Sequence, residues 1–210
     1  MRYDAIVLAY GKGQRAGLGY NKVLFPLSDK KTILEHALLP FIEDEECDKI
    51  IVTLEKESRS KIIAHPKIFF CDGGDERYKS VYEALRYVDS DHVMIHDGAR
   101  PDITIQDLTN LKSCLKMEDA CILASRAKDT IKVEVDGHIQ KTLDRDHIYL
   151  AKTPQAFKSE LIKDAYSKAM ADGACFTDDA QVLELYTDSK IKLVECTTKN
   201  DKYTYQEDFI

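Results

Sequence analysis

The segment Tyr3-Asp4-Ala5-Ile6-Val7-Leu8-Ala9 and the loop after it, Tyr10-Gly11-Lys12-Gly13-Gln14-Arg15, decide the fold and indicate the kind of ligand. The first segment is almost entirely apolar, which predicts a buried strand. The two glycines of the loop let the chain bend sharply and present backbone N–H groups to anionic oxygens. Arg15 and then Lys22 add positive charge. A glycine loop that leaves a strand and carries two cations predicts a polyphosphate site, although a simple tight turn has the same local pattern.

The loop departs from the two best-known phosphate motifs. A dinucleotide-binding loop has a third glycine, whereas Ala16 follows Arg15 here and the next glycine is Gly17. The Gly-Lys-Ser/Thr ending of a P-loop is also missing. A nicotinamide-dependent dehydrogenase therefore remains only a distant alternative.

Length and composition predict one domain over residues 1–210. A chain of this size buries roughly 70% of the surface that its unfolded form exposes. The apolar runs are far shorter than the ~20 residues that cross a bilayer, so we expect a soluble, cytoplasmic protein without a membrane partner. A net charge of −7 argues against a nucleic-acid partner, but local cations can still hold a small anion. Six cysteines without a Cys-x-x-Cys pair predict buried thiols rather than disulfides or zinc ligands.

Strand-like and helix-like segments alternate along the first 126 residues. This order predicts an α/β fold with a mostly parallel, twisted sheet flanked by helices and with ligands at the carboxyl ends of the strands. The predicted strands are 5–9, 49–54, 68–71, 92–96 and 120–124, and the predicted helices are 32–41, 80–88 and 104–115.

The pattern changes after Arg126. Residues 130–135 alternate with a period of two, Asp136-Gly137 is a strong hairpin turn, and residues 138–142 return. With a further strand at 147–151, this region predicts a projecting β-arm over about 127–152. A lone ribbon is marginally stable, so the arm is expected to pack on the domain or on another subunit. Helices at 156–171 and 178–186 and a strand at 191–196 complete the prediction.

Four further clusters lie in predicted loops, and each has a structural alternative. Residues 73–80 open a helix and can approach a base or ribose, or form only a capped turn. Asp97 and Arg100 end an apolar strand as a metal–phosphate site or as a buried ion pair. Thr177-Asp178-Asp179 heads a helix that Thr177 can cap, and residues 199–202 resemble a solvated loop. No catalytic Ser–His–Asp or Cys–His set is indicated, and His96 is expected to be a hydrogen-bonding residue at a strand end.

In chain order these clusters resemble the cytidylyltransferase family that makes 4-diphosphocytidyl-2-C-methyl-D-erythritol in the non-mevalonate isoprenoid pathway. The resemblance runs nearly end to end. Its motifs are Leu8–Arg15, Asn21-Lys22, Gly73–Arg77 with Ser80-Val81, His96–Pro101, Asp129–Lys132, Arg145, Thr153–Phe157, Thr177–Asp179 and Lys202-x-Thr204. Tyr10 stands where the family usually has alanine or glycine, so we expect its ring to point away from the loop or the loop to shift.

The resemblance implies a Rossmann-like nucleotidyltransferase fold, Mg²⁺ as cofactor, and transfer of CMP from CTP to a polyol phosphate by a homodimer formed through the arm. It implies a charge-stabilising or catalytic role for Arg15, Lys22 and Lys202, and a nucleotide-binding role for Ala9, Tyr10, Gly11, Gly13, Gly74, Asp75 and Ser80. Acceptor-binding roles fall on Asp97, Arg100, Thr130, Arg145, Thr153 and Thr177, with Asp97 also organising the metal. Thr130 and Arg145 are expected to reach the neighbouring subunit's site.

The chemistry of a phosphate-monoester acceptor explains why no catalytic histidine is required. A phosphate monoester has a second pKa of about 6, so its oxygen can attack phosphorus without a general base. What remains is charge neutralisation and in-line alignment, which cations supply. Two alternatives within this framework are a ribitol- or other polyol-phosphate cytidylyltransferase and a noncatalytic nucleotide-binding homologue.

Overall fold

The computed structural model describes residues 1–11 and 16–209. It has a seven-stranded sheet with helices on both faces, and a separate two-stranded ribbon. The strands are β1 (Tyr3–Leu8), β2 (Cys47–Thr53), β3 (Ile68–Cys71), β4 (His92–Asp97), β5 (Ala120–Arg126), β6 (Lys132–Val135), β7 (His138–Thr142), β8 (Tyr149–Lys158) and β9 (Lys192–Glu195). The helices are α1 (Ile33–Glu43), α2 (Arg77–Leu85), α3 (Ile105–Leu115), α4 (Ser159–Ala171) and α5 (Asp179–Tyr186).

The strand order in the large sheet is β3-β2-β1-β4-β8-β5-β9. All neighbouring pairs are parallel except those of β8, which runs antiparallel to both β4 and β5. The chain leaves β1 toward β2 on one side and later returns to β4 on the other. This reversal is a topological switch point, where ligands bind at the carboxyl ends of strands in open α/β sheets. The predicted α/β class and mostly parallel sheet are confirmed.

The alternation of β1 explains why the sheet is covered on both faces. Ala5 and Val7 pack with α1 and α3, whereas Ile6 packs with α2, α4 and α5. Because a strand places successive side chains on opposite faces, a nearly continuous apolar run is what a strand buried on both sides requires. The parallel core is therefore fixed rigidly beneath the loops at its carboxyl edge.

Capping residues fix where the helices begin. The Thr32 and Thr104 side chains cap α1 and α3, each in a reciprocal arrangement with the acidic residue three positions later. The prediction that Thr177 caps α5 is wrong, because the Asp178 side chain accepts the bond from the Gln181 N–H. The Thr177 hydroxyl instead donates to the Gln181 side chain at 3.1 Å.

The predicted β-arm is correct at its centre and wrong at its end. Strands β6 and β7 form a hairpin whose turn, Asp136-Gly137, has positive φ at both residues, as the sequence predicts. The arm cannot include the strand predicted at 147–151, because Leu150 and Ala151 belong to β8 and pair with β5 in the large sheet. The helix predicted from residue 156 also begins three residues later, since Ala156 and Phe157 continue β8.

Two composition-based expectations can be compared with the structure. All six cysteines are free thiols: three are buried, two are partly buried, and Cys175 is exposed. Across the residues that the structure describes, no helix is long and apolar enough to cross a membrane.

Candidate active site

A cavity of about 800 Å³ lies at the switch point, over the carboxyl ends of β1, β2 and β4. Its lining comes from six separate segments of the chain. Nine residues selected from the sequence line it together: Ala9, Tyr10, Gly11, Lys22, Gly74, Asp75, Ser80, Asp97 and Lys202. Gly13 and Arg15 lie outside the described residues. Three other lining residues are described below, Asn21, Glu55 and Arg77.

One wall of the cavity is the glycine turn before α2. The buried Ser80 hydroxyl accepts a hydrogen bond from the Gly74 N–H at 3.0 Å and so folds the turn onto the helix. Tyr10 packs against this turn so closely that a Cβ on Gly73 would lie 2.5 Å from the Tyr10 Cβ and Cγ atoms. Only glycine is compatible with that approach. The Tyr10 side chain is therefore accommodated by the glycine turn and forms part of the cavity wall.

Lys22 begins a single 3₁₀ turn, Lys22–Leu24, and Asn21 positions that turn. The Asn21 side chain accepts a hydrogen bond from the Val23 N–H at 3.3 Å, and its amide donates to the Ala9 carbonyl at 2.7 Å. The same amide also donates to the Glu55 carboxylate at 3.2 Å. Asn21 thus links the Lys22 turn to the end of β1 and to the segment after β2.

Asp97, the last residue of β4, is the centre of a cluster of cations. Its carboxylate accepts from the Arg77 Nε at 3.0 Å and from the Lys202 Nζ at 2.8 Å, and the Arg100 Nε lies 3.6 Å away. Burial opposes ionisation of Asp97, but the charges of Arg77, Lys202 and Arg100 outweigh it and hold the pKa of Asp97 far below its usual value. The carboxylate is therefore charged at any pH relevant to activity.

Arg77 connects this cluster to a fully buried carboxylate on another helix. Its Nη1 and Nη2 atoms donate to the two Asp179 oxygens at 3.0 and 2.8 Å, and the Tyr166 hydroxyl donates to Asp179 at 2.6 Å. Burial disfavours a charged Arg77, but Asp179 and Asp97 hold its pKa well above the usual value. The sequence alone indicates no specific role for Arg77. The available signal was its position in the first turn of α2, where the helix dipole disfavours a cation.

His96 and Thr153 hold the Asp97 backbone in place through buried hydrogen bonds. The Asp97 N–H donates to the Thr153 hydroxyl at 3.0 Å, which leaves that hydroxyl proton for His96 Nδ1, also at 3.0 Å. His96 Nε2 then carries the ring proton and donates to the Arg100 carbonyl at 3.0 Å. Burial lowers the pKa of His96 to about 4, so the ring is neutral. The expectation that His96 is a hydrogen-bonding residue at a strand end is confirmed.

The loop that carries Lys202 is held on both sides. Asn200 has a positive φ of 45° and is fully buried, and its amide donates to the Thr153 carbonyl at 2.7 Å. The Arg100 guanidinium donates to the Asn200 carbonyl at 2.8 Å, and the Tyr203 N–H donates to the Ala99 carbonyl at 2.9 Å. A loop that looks solvated in sequence is in fact anchored, and Lys202 is positioned by it.

Of the six predicted acceptor residues, only Asp97 is among the described residues that line the cavity, and the other five lie elsewhere. Thr177 precedes α5, close in the chain to Asp179, and its hydroxyl faces Gln181. Thr130 and Arg145 are exposed and lie just outside the two strands of the ribbon, and the Arg145 guanidinium donates to the Lys128 carbonyl at 2.8 Å. Thr153 contributes to the site from beneath, through the hydrogen bonds described above, and Arg100 through its contacts with Asp97 and Asn200. Acceptor binding by these five residues stays a prediction.

The contacts of Asp97 also test its predicted role as a metal ligand. Both carboxylate oxygens already contact cations, and the described residues contain no group of three or more His, Cys, Asp or Glu side chains arranged to hold a metal ion. These residues do not fit a magnesium site made by the protein alone. The buried ion pair that the sequence raised for Asp97 is present, and magnesium binding by Asp97 together with substrate phosphates stays a prediction.

Fold and cavity together define an α/β protein of the nucleotidyltransferase class, with Lys22, Arg77 and Lys202 around a cavity at the switch point. The family described as IspD, 2-C-methyl-D-erythritol 4-phosphate cytidylyltransferase, matches residues 4–210, and the chain belongs to this family. The family match also decides against the dehydrogenase alternative.

Individual relatives agree with the family match over almost the whole chain. A Bacillus cytotoxicus 2-C-methyl-D-erythritol 4-phosphate cytidylyltransferase is 36% identical, covering 99% of this chain and 95% of the relative. An Aquifex aeolicus protein of the same name is 37% identical over 98% of this chain and 93% of its own length. The crystal structure of the Francisella tularensis enzyme has a TM-score of 0.86 at 34% identity, covering 100% of this chain and 97% of that one.

Proposed function

We propose that the protein transfers CMP from CTP to 2-C-methyl-D-erythritol 4-phosphate, giving 4-diphosphocytidyl-2-C-methyl-D-erythritol and pyrophosphate for isoprenoid precursor synthesis. The observation that carries this proposal is the convergence of Lys22 and Lys202 on one cavity, with Asp97 fixing the Lys202 ammonium. Family membership supplies the substrates, and a cytoplasmic location is part of the same proposal.

In the proposed reaction a phosphate oxygen of the acceptor attacks the α-phosphorus of CTP. The new O–P bond forms as the bond from the α-phosphorus to the α,β-bridging oxygen breaks, and that oxygen leaves with pyrophosphate. An acceptor with a second pKa of about 6 is mostly dianionic at neutral pH, so no side chain has to remove a proton. Neutral, buried His96 is consistent with this, because it has no exposed nitrogen with which to act as a base.

The proposed site residues divide into three groups by role. The glycine turn with Gly74, Asp75 and Ser80 contacts the nucleoside, while Ala9, Tyr10, Gly11, Gly13 and Arg15 belong to the phosphate loop. Lys22 and Lys202 stabilise the charge that develops at the α-phosphorus. Fixed cations of this kind stabilise a transition state without reorganisation, which is the main source of catalysis in phosphoryl and nucleotidyl transfer.

Mg²⁺ is proposed as a cofactor on chemical grounds. Magnesium is usually held by one or two carboxylates together with substrate phosphates and waters, and a triphosphate supplies most of that set. When bound, the ion neutralises phosphate charge and makes pyrophosphate a better leaving group. Asp97 is the carboxylate proposed to help hold the ion, and this would compete with its contacts to Arg77 and Lys202.

The homodimer is proposed to form through the ribbon, with Thr130 and Arg145 reaching the partner's acceptor site. Support comes from the exposure of both strands of the ribbon and of apolar side chains on it, Val135 at 48% and Ile139 at 68%. Guanidinium groups bind phosphate through parallel hydrogen bonds, so Arg145 is chemically suited to the acceptor.

Pyrophosphate release tests the function with a panel of acceptors. The purified protein is incubated with CTP, MgCl₂ and either 2-C-methyl-D-erythritol 4-phosphate, ribitol 5-phosphate or no acceptor. We expect the methylerythritol compound to give the highest kcat/KM. Faster release with ribitol 5-phosphate would favour the polyol-phosphate alternative, and no release with either would favour a noncatalytic homologue.

A further inference from the structure

Two buried clusters in this protein have the same composition of tyrosine, aspartate and cation, but only one is connected to the cavity. In the first, Asp179 accepts from Tyr166 and binds Arg77 through both oxygens. In the second, Asp44 accepts from Tyr3 at 2.9 Å, and the Lys112 Nζ contacts its two oxygens at 2.9 and 2.7 Å. The second cluster lies at the amino ends of β1 and β2, at the end of these strands opposite to the cavity.

The first cluster continues into the site through three charged side chains. Arg77 uses Nη1 and Nη2 on Asp179 and Nε on Asp97, so a single guanidinium fork holds two carboxylates in a fixed relation. With Oδ1 of Asp97 facing Arg77, Oδ2 faces the Lys202 Nζ at 2.8 Å. The continuous chain of contacts is Tyr166, Asp179, Arg77, Asp97 and Lys202.

This arrangement matters because Lys202 has a flexible side chain that is 35% exposed. A four-carbon stem leaves the ammonium many positions, and the contact with Asp97 selects one of them. The Asp97 carboxylate can itself rotate unless Arg77 holds one oxygen. Arg77 in turn lies at the amino end of α2, where the helix dipole opposes its charge, so it needs the fully buried Asp179 as its anchor.

We propose that Asp179, supported by Tyr166, is a positioning residue for nucleotidyl transfer: through Arg77 and Asp97 it fixes the Lys202 ammonium at the reacting phosphate. The proposal rests on the proposed function. It extends the catalytic apparatus to a helix, α5, none of whose residues line the cavity among the described residues.

Matched variants of the two clusters test it. Asp179→Asn is compared with Asp44→Asn, and Tyr166→Phe with Tyr3→Phe, by steady-state pyrophosphate release and by urea unfolding. Because a misplacement of about 1 Å at a reacting centre costs up to ~10²-fold in rate, we expect Asp179→Asn to lower kcat about 10-fold or more. The KM for CTP should change less than about 3-fold, because the lost interaction stabilises the transition state rather than the bound CTP. Asp44→Asn should lose stability without losing kcat.

A double-mutant cycle with Lys202→Ala separates positioning from general destabilisation. If Asp179 acts through Lys202, Asp179→Asn should cause almost no further loss of kcat in the Lys202→Ala background. The same fold-loss in both backgrounds, or wild-type kcat in a folded Asp179→Asn, would overturn the proposal. If Asp179→Asn does not fold, Tyr166→Phe carries the same comparison, and equal kcat for Tyr166→Phe and Tyr3→Phe would overturn it. If the wild type releases no pyrophosphate, both the proposed function and this proposal are refuted. If the wild type and Asp179→Asn release pyrophosphate at the same rate, only this proposal is refuted.

Discussion

Asp97→Asn is the substitution whose consequences the structure defines most sharply. The asparagine keeps one acceptor oxygen and the shape of the side chain, but it removes the shared negative charge from Arg77, Lys202 and Arg100. Breaking a buried ion pair by removing one partner costs about 3–5 kcal/mol. Since Arg77 retains Asp179, we expect the lower end, about 3 kcal/mol, which lowers the Tm of a protein of this size by about 6–12 °C.

Turnover should fall much further than stability explains. Without the carboxylate, the Lys202 ammonium loses the contact at 2.8 Å that positions it, and kcat is expected to fall about 10²-fold. The KM for CTP should stay the same or decrease, because removal of an anion from the cavity makes its potential more favourable for a triphosphate. Pyrophosphate release is measured at 25 °C, below the transition of the variant, with Asp44→Asn as a control for destabilisation.

A magnesium titration of the same variant distinguishes the two roles considered for Asp97. If the side chain only holds cations, the magnesium concentration at half-maximal rate is unchanged while kcat falls. A raised midpoint, with kcat restored at saturating magnesium, would instead identify Asp97 as a metal ligand. Near-wild-type kcat at every magnesium concentration would refute the reasoning about Lys202.

The other predictions concern the nucleoside wall, pH and the ribbon. Gly73→Ala places a Cβ 2.5 Å from Tyr10 and 2.7 Å from the Ser80 Oγ, so it should raise the KM for CTP about 10-fold or more. The control Gly137→Ala, at the tip of the ribbon, should leave this KM unchanged. Equal KM values for the two variants would show that the glycine turn does not contact the nucleotide. Burial lowers the pKa of His96 in the folded state to about 4, whereas the ordinary pKa of histidine is about 6.5. Between these two pH values the unfolded state therefore binds a proton that the folded state does not. Stability from this group is complete above about pH 6.5 and is lost as the pH falls toward 4, by about 3 kcal/mol, and urea unfolding of His96→Gln should show a shallower loss over that window. Mixing Arg145→Ala with Lys22→Ala subunits should partly restore pyrophosphate release, because each mixed dimer has one site that carries neither substitution. Confirmed subunit exchange without any recovery would rule out a site shared between subunits.

Much of the fold follows from local sequence patterns. β1 is predictable because a strand buried on both faces is apolar at nearly every position, and the turn at Asp136-Gly137 because few dipeptides adopt positive φ twice. The prediction for β8 is wrong because its pairing depends on contacts with strands that are distant in sequence. Its residues 149–151 resemble the end of the arm and residues 156–158 the start of α4, yet one ten-residue strand inserts between β4 and β5.

The site shows the same division between local and long-range information. Residues on the glycine loop and turn can be identified because the backbone conformation itself requires glycine. Arg77 and Asp179, by contrast, are 102 residues apart, and no local pattern pairs them. The choice between Thr177 and Asp178 as the cap of α5 is also decided by tertiary contacts, since Gln155 receives the N–H groups of Asp179 and Ala180.

The most direct test of the account follows the label from CTP through the reaction. Wild-type protein is incubated with MgCl₂, 2-C-methyl-D-erythritol 4-phosphate and CTP labelled with ³²P at either the α- or the γ-phosphate, and the products are separated. We predict that the α-label appears in the cytidine diphospho-polyol and the γ-label only in pyrophosphate, both at a rate that Lys22→Ala lowers about 10²-fold or more. Transfer of the γ-label to the acceptor, or no transfer of the α-label, would contradict the central claim.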